Sequence, residues 1–190
     1  MPLSIDKLFI PLLMLLILGS CSQQQQEETE PIRRKSPIAI AKALHQPSDT
    51  YVKIVYGQPY KRGRDIFGQL VPYNEIWRTG ANEATELTST KDISFGGEEL
   101  KAGTYALFTI PRKDEPWTII LNSELGQWGA FEYQSEYDVF RIEVPAIEKE
   151  TSTEPFTIRF TDVIDDSTSL VMQWDQTEVS IPIRFLEAEE

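Results

Sequence analysis

Hydrophobic residues in the second half of this chain recur at every second position, and that period constrains the fold more than any other feature. Phe156, Ile158 and Phe160 fall on one side of an extended backbone, with Thr157, Arg159 and Thr161 on the other. Leu170, Met172 and Trp174 alternate with Val171, Gln173 and Asp175. Val179, Ile181, Ile183 and Phe185 alternate with Ser180, Pro182 and Arg184, and Phe140, Ile142 and Val144 with Arg141 and Glu143. Successive side chains of a strand point to opposite faces, so each run predicts a half-buried strand. Pro182 has no N–H for a ladder, which places the last strand at a sheet edge or leaves its donor side free.

The middle of the chain is more apolar. Residues 104–110 and 117–121 predict central strands buried on both faces, separated by a turn over residues 111–116. Gly96-Gly97 sits between Ile93-Ser94-Phe95 and Glu98-Glu99-Leu100, and paired glycines supply the positive φ of a two-residue hairpin turn. Residues 38–44 and 51–56 form a second hairpin across Pro47-Ser48-Asp49. No segment carries a long helical period with caps. The reading is an all-β fold, a β-sandwich of about eight or nine strands, with a jelly roll as one form of it. Two long loops, residues 59–85 and 122–138, interrupt the strand rhythm. Loops of that length are uncommon in a compact domain and are often functional. Their aromatic residues are expected to plug the open ends of the sandwich.

Ahead of the strands, Leu8 to Leu18 is an unbroken apolar run that follows Lys7 and precedes Gly19-Ser20-Cys21. At about 1.5 Å per residue the run is too short to cross a ~30 Å hydrocarbon core and has the length of a signal-peptide core. Small residues before the chain's only cysteine resemble a bacterial lipobox, in which the cysteine is acylated and becomes the first residue. The expected organisation is a lipoprotein signal peptide over 1–20, a lipid anchor on Cys21 and a flexible tether over 21–35. A single domain over 36–185 and an acidic tail over 186–190 follow. Ser22, where an aspartate would signal inner-membrane retention, points to the outer membrane, facing the periplasm or the cell surface. With Cys21 committed to lipid, no disulfide is available and stability must come from the apolar core.

The formal net charge is −12, which argues against nucleic acid as a partner. The charge is uneven, however. Residues 31–64 carry eight Lys or Arg against Asp49 alone. Either a basic strand region packs against acidic neighbours, or residues 61–64 form a local anion site.

The stretch Arg64-Asp-Ile-Phe-Gly-Gln-Leu-Val-Pro-Tyr-Asn-Glu-Ile-Trp-Arg-Thr-Gly-Ala-Asn-Glu-Ala-Thr85 resembles the signature of the family called domain of unknown function 2911, found in predicted envelope proteins of Gram-negative bacteria. The resemblance continues through Leu100-Lys101-Ala102-Gly103-Thr104-Tyr105, Trp117, Asn122, Trp128-Gly129, Tyr137-Asp138 and Arg141, and spans residues 36–183. It implies boundaries and an envelope location. It supplies no catalytic residue.

The usual catalytic constellations are missing, which points away from an enzyme. His45 is the sole histidine, so no His cluster exists for a metal, and no Gly-x-Ser-x-Gly elbow or phosphate-binding glycine loop is present. No cofactor is implied. The candidate binding residues are Arg64, Trp77, Arg78, Asn82, Glu83, Trp128 and Asp138. Arg78 offers a planar fork of donors suited to a carboxylate or phosphate. Asn82 both donates and accepts, and Glu83 becomes an acid or base if desolvated. In the competing structural reading Arg78 pairs with Glu83 or Asp138 and Asn82 bonds its own loop. Three functions stay open. One is an outer-membrane-anchored binding domain, its ligand or envelope partner unknown. Another is a glycan- or peptidoglycan-directed hydrolase using Glu83 and Asp138. The last is a structural envelope protein without a small ligand.

Overall fold

The alternating runs form ten strands in two antiparallel sheets that face one another across a single apolar layer. The computed structural model describes residues 34–186; the predicted signal peptide, Cys21, the tether up to residue 33 and residues 187–190 of the acidic tail lie outside the described residues. The strands are β1 (Ile38–His45), β2 (Thr50–Gly57), β3 (Thr85–Ser89), β4 (Ile93–Phe95), β5 (Glu98–Leu100), β6 (Gly103–Ile110), β7 (Trp117–Asn122), β8 (Asp138–Val144), β9 (Ala146–Phe160) and β10 (Ser167–Phe185). The larger sheet runs β1-β2-β3-β6-β7-β8 and the smaller β5-β4-β10-β9. This is a β-sandwich, as the periodicity predicts. Its winding is a meander with the β4–β5 hairpin diverted to the second sheet, rather than the Greek-key winding of a jelly roll.

Ten strands form where eight or nine are predicted. Thr85–Ser89, mostly polar, is β3; its Thr85, Leu87 and Ser89 face inward while Glu86 and Thr88 face out. The two runs 170–174 and 179–185 belong to one strand of 19 residues. Their apolar positions are even-numbered in the first run and odd-numbered in the second. Register irregularities around Asp175, which takes φ +51°, change that parity and return both runs to the core. Pro182 lies in an interior strand, so of the two predicted placements the free donor side holds rather than the edge. It follows the last β9 pair at Val179 and immediately precedes the first β4 pair at Ile183, and its carbonyl accepts the Gly96 N–H at 2.8 Å. At the β4–β5 turn, Gly96 and Gly97 take φ +62° and +97°, the conformation the paired glycines predict.

The core between the sheets is built from the inward rows. Val52 and Ile54 of β2, Leu87 of β3, Ile119 and Leu121 of β7, Leu170 and Met172 of β10 and Phe156 and Ile158 of β9 are all buried. β7 is buried at every position, Thr118 included, as its largely apolar sequence predicts. The reason is a second, smaller cluster on the outer face, where Ala84, Ala106, Phe108 and Ile120 are covered by Ile76, Ala130 and Tyr133 from the two long loops. Tyr133 meets Phe108 edge-on at 5.0 Å. The loops thus roof β6 and β7 and leave the outer face from Ile40 to Leu44 open.

The aromatic plug forms as predicted from the first loop. Phe67 packs edge-on against Trp117 (4.8 Å) and Trp77 (6.0 Å), and Trp77 stacks on Trp174 at 6.1 Å. The second loop is different: Trp128 and Phe131 stay 58% and 87% exposed and plug nothing. His45 is structural. Its buried ring stacks on Phe185 at 4.8 Å, and its Nδ1 lies 2.7 Å from Ser48 Oγ, closing the β1–β2 turn.

Candidate functional site

The site grows from a tight backbone contact at the end of β2. Gly57 has no side chain, and a Cβ there would stand 1.9 Å from the Ala81 carbonyl oxygen. That closeness lets Ala81 N–H donate to Gly57 O at 3.1 Å and draws the segment 77–82 across the strand end. Trp77 pairs with Thr109 through both backbone bonds (2.7 and 2.9 Å) and donates its indole N–H to Gly80 O at 3.1 Å. Thr85 Oγ1 donates to Thr79 O at 2.7 Å. Between these anchors Thr79 is held fully buried at φ +55°. The left-handed region costs a β-branched residue roughly 1–3 kcal/mol, and such strain collects where a turn must aim a neighbouring side chain.

The neighbour so aimed is Arg78, which lines a cleft of about 270 Å³ at this end of the sandwich. Lys35, Arg62 and Arg64 line the same cleft, and Trp77 and Trp174 are its aromatic wall. Among the described residues four cations line it and no acidic residue does. Arg78 Nε is sealed from solvent and, among the described residues, has no hydrogen-bond acceptor. Burial alone pushes the Arg78 guanidinium below its usual pKa, with no carboxylate to offset the cost.

The other basic residues nearby are spent in varied ways. Arg64 donates to the carbonyls of Lys61 (3.0 Å) and Tyr60 (2.6 Å) and so sits fixed at the rim. Arg62 lies over the Tyr60 ring at 5.9 Å and reaches the Lys35 carbonyl at 3.2 Å, while its backbone N–H is taken by the Glu154 carboxylate at 2.7 Å. Lys61 turns away to Asp175 at 2.6 Å, in a pair that also receives the Ser152 hydroxyl at 2.7 Å. Burial raises the Asp175 pKa, but the bonds from Lys61 and Ser152 outweigh it and hold the carboxyl below its ordinary value. Within the basic stretch 31–64, Lys61 pairs with the acid Asp175, while Lys35, Arg62 and Arg64 line the cleft.

Of the seven candidates, the structure brings Arg64, Trp77 and Arg78 together. Asn82 and Glu83 lie one turn further on. Asn82, at φ +67°, reaches the Ser36 carbonyl at 3.5 Å rather than its own loop. Glu83 is held by both Arg34 nitrogens at 2.7 and 3.0 Å, which lowers its pKa. Trp128 joins this side through its backbone, which bridges Glu83, while Gly129 N–H donates to Asn82 O at 3.0 Å. Asp138 belongs to a separate network: it accepts from Asn122 Nδ2 (2.9 Å), Tyr133 Oη (2.7 Å) and Arg141 Nε (2.8 Å). Burial and that bond to Asp138 push the Tyr133 hydroxyl up to about 12. The expected pairing of Arg78 with Glu83 or Asp138 does not form, because Arg34 and Arg141 occupy those acids. Trp174 is not among the expected site residues, and Lys35 and Arg62 are reached only through the basic run between 31 and 64, within which residues 61–64 are read as an anion site. Among the described residues no three His, Cys, Asp or Glu side chains gather into a metal site.

Fold and site together define an all-antiparallel β-sandwich domain that carries a cationic, aromatic-walled cleft under a strained turn. Within that class the chain belongs to the family described as "Protein of unknown function (DUF2911)", which it matches over residues 36–183. The match covers the cleft-lining residues from Ser36 onward and both long loops. No curated protein and no solved structure matches the chain.

Proposed function

We propose that this protein is an outer-membrane-anchored lipoprotein whose sandwich domain binds a small anionic ligand in the Arg78 cleft. The observation that carries the binding reading is Arg78 itself: a guanidinium nitrogen buried without an acceptor among the described residues, in a cleft whose described lining holds four cations and no acid. A half-buried guanidinium with an unpartnered donor is costly, and a ligand carboxylate or phosphate entering the cleft offers charge-assisted bonds. Trp77 and Trp174 give the ligand an apolar surface, and a cavity of about 270 Å³ suits a small metabolite rather than a polymer. The anchoring reading rests on the Leu18-Gly19-Ser20-Cys21 sequence. The hydrolase reading gains no comparable support, since Glu83 is taken by Arg34 and Asp138 by Tyr133 and Arg141.

Calorimetric titration with a panel of small carboxylates and phosphates tests the cleft. At least one should bind, and Arg78→Lys, which keeps the charge and loses the fork, should weaken it by about tenfold or more. Equal binding by Arg78→Lys, or no binder in the panel, refutes the reading. For the anchor, labelled palmitate should enter the parent chain and not Cys21→Ser, and the variant should leave the membrane fraction; several buried acyl chains at about 0.8 kcal/mol per methylene hold where one does not. A Cys21→Ser chain that stays firmly membrane-bound contradicts it.

A further inference from the structure

The roof formed by the two long loops covers only half of the larger sheet. Over β6 and β7 it buries Ala106, Phe108 and Ile120. At the far end of β2 Ala81 lies against Gly57, but the outer face from Ile40 to Leu44 keeps its apolar side chains open among the described residues. There Ile38, Ile40 and Leu44 are 56%, 63% and 50% exposed, and the outward row of β2 sets Val55 opposite Ile40 and Tyr51 opposite Leu44. Between these apolar pairs Lys42 stands directly opposite Lys53. Like charges paired across strands are destabilising, and neither lysine has an ion-pair partner among the described residues. The next residue across from Lys53 is Thr88; the nearest acid on the face, Glu86, lies opposite Val55 and accepts the Gly126 N–H at 3.3 Å. β1 is also an edge strand.

We infer that this face docks on an anionic lipid surface. An apolar face with cations at its centre calls for a partner that is apolar and negatively charged at once. The headgroup boundary of an anionic bilayer is both: Ile and Leu enter the acyl margin, Tyr51 sits at the interface, and lysine stems lie along the apolar surface while their ammoniums reach phosphates. A second copy of the chain fits poorly, because a two-fold contact through this face would bring Lys42 and Lys53 against their own duplicates. The chain's entry point agrees. The face begins at Ile38, and the stretch from Cys21 to Arg34 can extend at most about 45 Å, so a lipid on Cys21 keeps β1 within reach of the bilayer. That proximity rests on the anchoring proposed above; the face itself does not.

The test is co-sedimentation of residues 22–190 with phosphatidylcholine vesicles that contain or lack phosphatidylglycerol. This fragment keeps every residue of the core, which is drawn from residues 39–185, and it carries no Cys21. It should bind the phosphatidylglycerol vesicles and not the neutral ones, more weakly as salt rises. Lys42→Glu with Lys53→Glu should lower binding by at least about 25-fold, some fivefold per lysine. Ile40→Ser with Leu44→Ser should also lower it, and thermal melts should show both variants folded. Arg78→Lys should bind vesicles like the parent, which separates this proposal from the cleft, as the missing Cys21 separates it from the anchor. Three results overturn the proposal: no binding by the parent fragment, equal binding by the charge-reversed variant, or a concentration-dependent dimer that the Ile40/Leu44 substitutions abolish.

Discussion

Replacing Arg78 by methionine should make this protein more stable and unable to bind its anion. Methionine follows much of the course of the arginine stem and fills irregular space, so the packing of the stem against the cleft wall is largely kept. What disappears is a buried N–H without an acceptor and a charge held in a poorly solvated cleft. An unsatisfied buried donor costs about 1–3 kcal/mol. Discounting for imperfect repacking and for the part of Arg78 that still reaches water, a gain of about 1–2 kcal/mol is expected. For a domain of this size that is a rise of about 2–8 °C in melting temperature. The assay is urea or thermal unfolding of parent and variant with and without a bound anion. Ligand at 100 times its Kd should stabilise the parent by about 2.7 kcal/mol and leave Arg78→Met unmoved. A structural arginine behaves the opposite way, since removing one member of a buried pair costs about 3–5 kcal/mol by stranding the other. A loss of 1 kcal/mol or more in Arg78→Met refutes the reasoning and returns Arg78 to the scaffold.

Three further outcomes follow from the packing. Gly57→Ala should destabilise by about 3 kcal/mol or more, because a Cβ 1.9 Å from the Ala81 carbonyl must push the strained turn off β2; unfolding curves and anion titration should both register it. Trp174→Ala should cost about 3–5 kcal/mol, since Trp174 is buried against Trp77, Phe156 and Phe67; a loss below 1 kcal/mol in denaturant unfolding would contradict that burial. Asp175→Asn keeps a residue that tolerates φ +51° but strands Lys61, and should cost about 1 kcal/mol at pH 7. The Asp175 carboxyl is held below its ordinary 3.8, so its contribution is present above that pH and is lost as pH falls through the lower folded value. Parent and Asp175→Asn melting temperatures should therefore converge below pH 3.8, as calorimetry across pH 2–7 can check.

Much of the sandwich was legible in the chain because strand pleating is local. Alternation at 156–160 and 140–144 places one row inward whatever the strands pair with, and Gly96-Gly97 makes a tight hairpin through its own φ values. The largely apolar run 117–121 points to burial on both faces, and β7 is buried at every position. Runs 170–174 and 179–185 looked like separate strands because a bulge shifts parity, and a parity change reads as an interruption until the partner strand shows where the extra residue goes. The mostly polar Thr85–Ser89 is a strand because β2 and β6 supply its ladders, which its own residues do not reveal.

The site divides along the same line. Arg78 and Trp77 stood out by residue type and by the family signature, and the basic run up to Arg64 pointed at the cleft. The tertiary structure alone decided which acids were already occupied: Arg34 reaches Glu83 across 49 positions and Lys61 reaches Asp175 across 114. Arg141, three residues from Asp138, holds it more readily than Arg78 can. Charge pairing depends on distances of a few ångströms between residues far apart in the chain, which composition and period do not encode. Among the described residues Arg78 Nε has no acceptor, since Arg34 and Arg141 hold Glu83 and Asp138, and its position over the cleft depends on the contact between Gly57 and Ala81 that holds the turn.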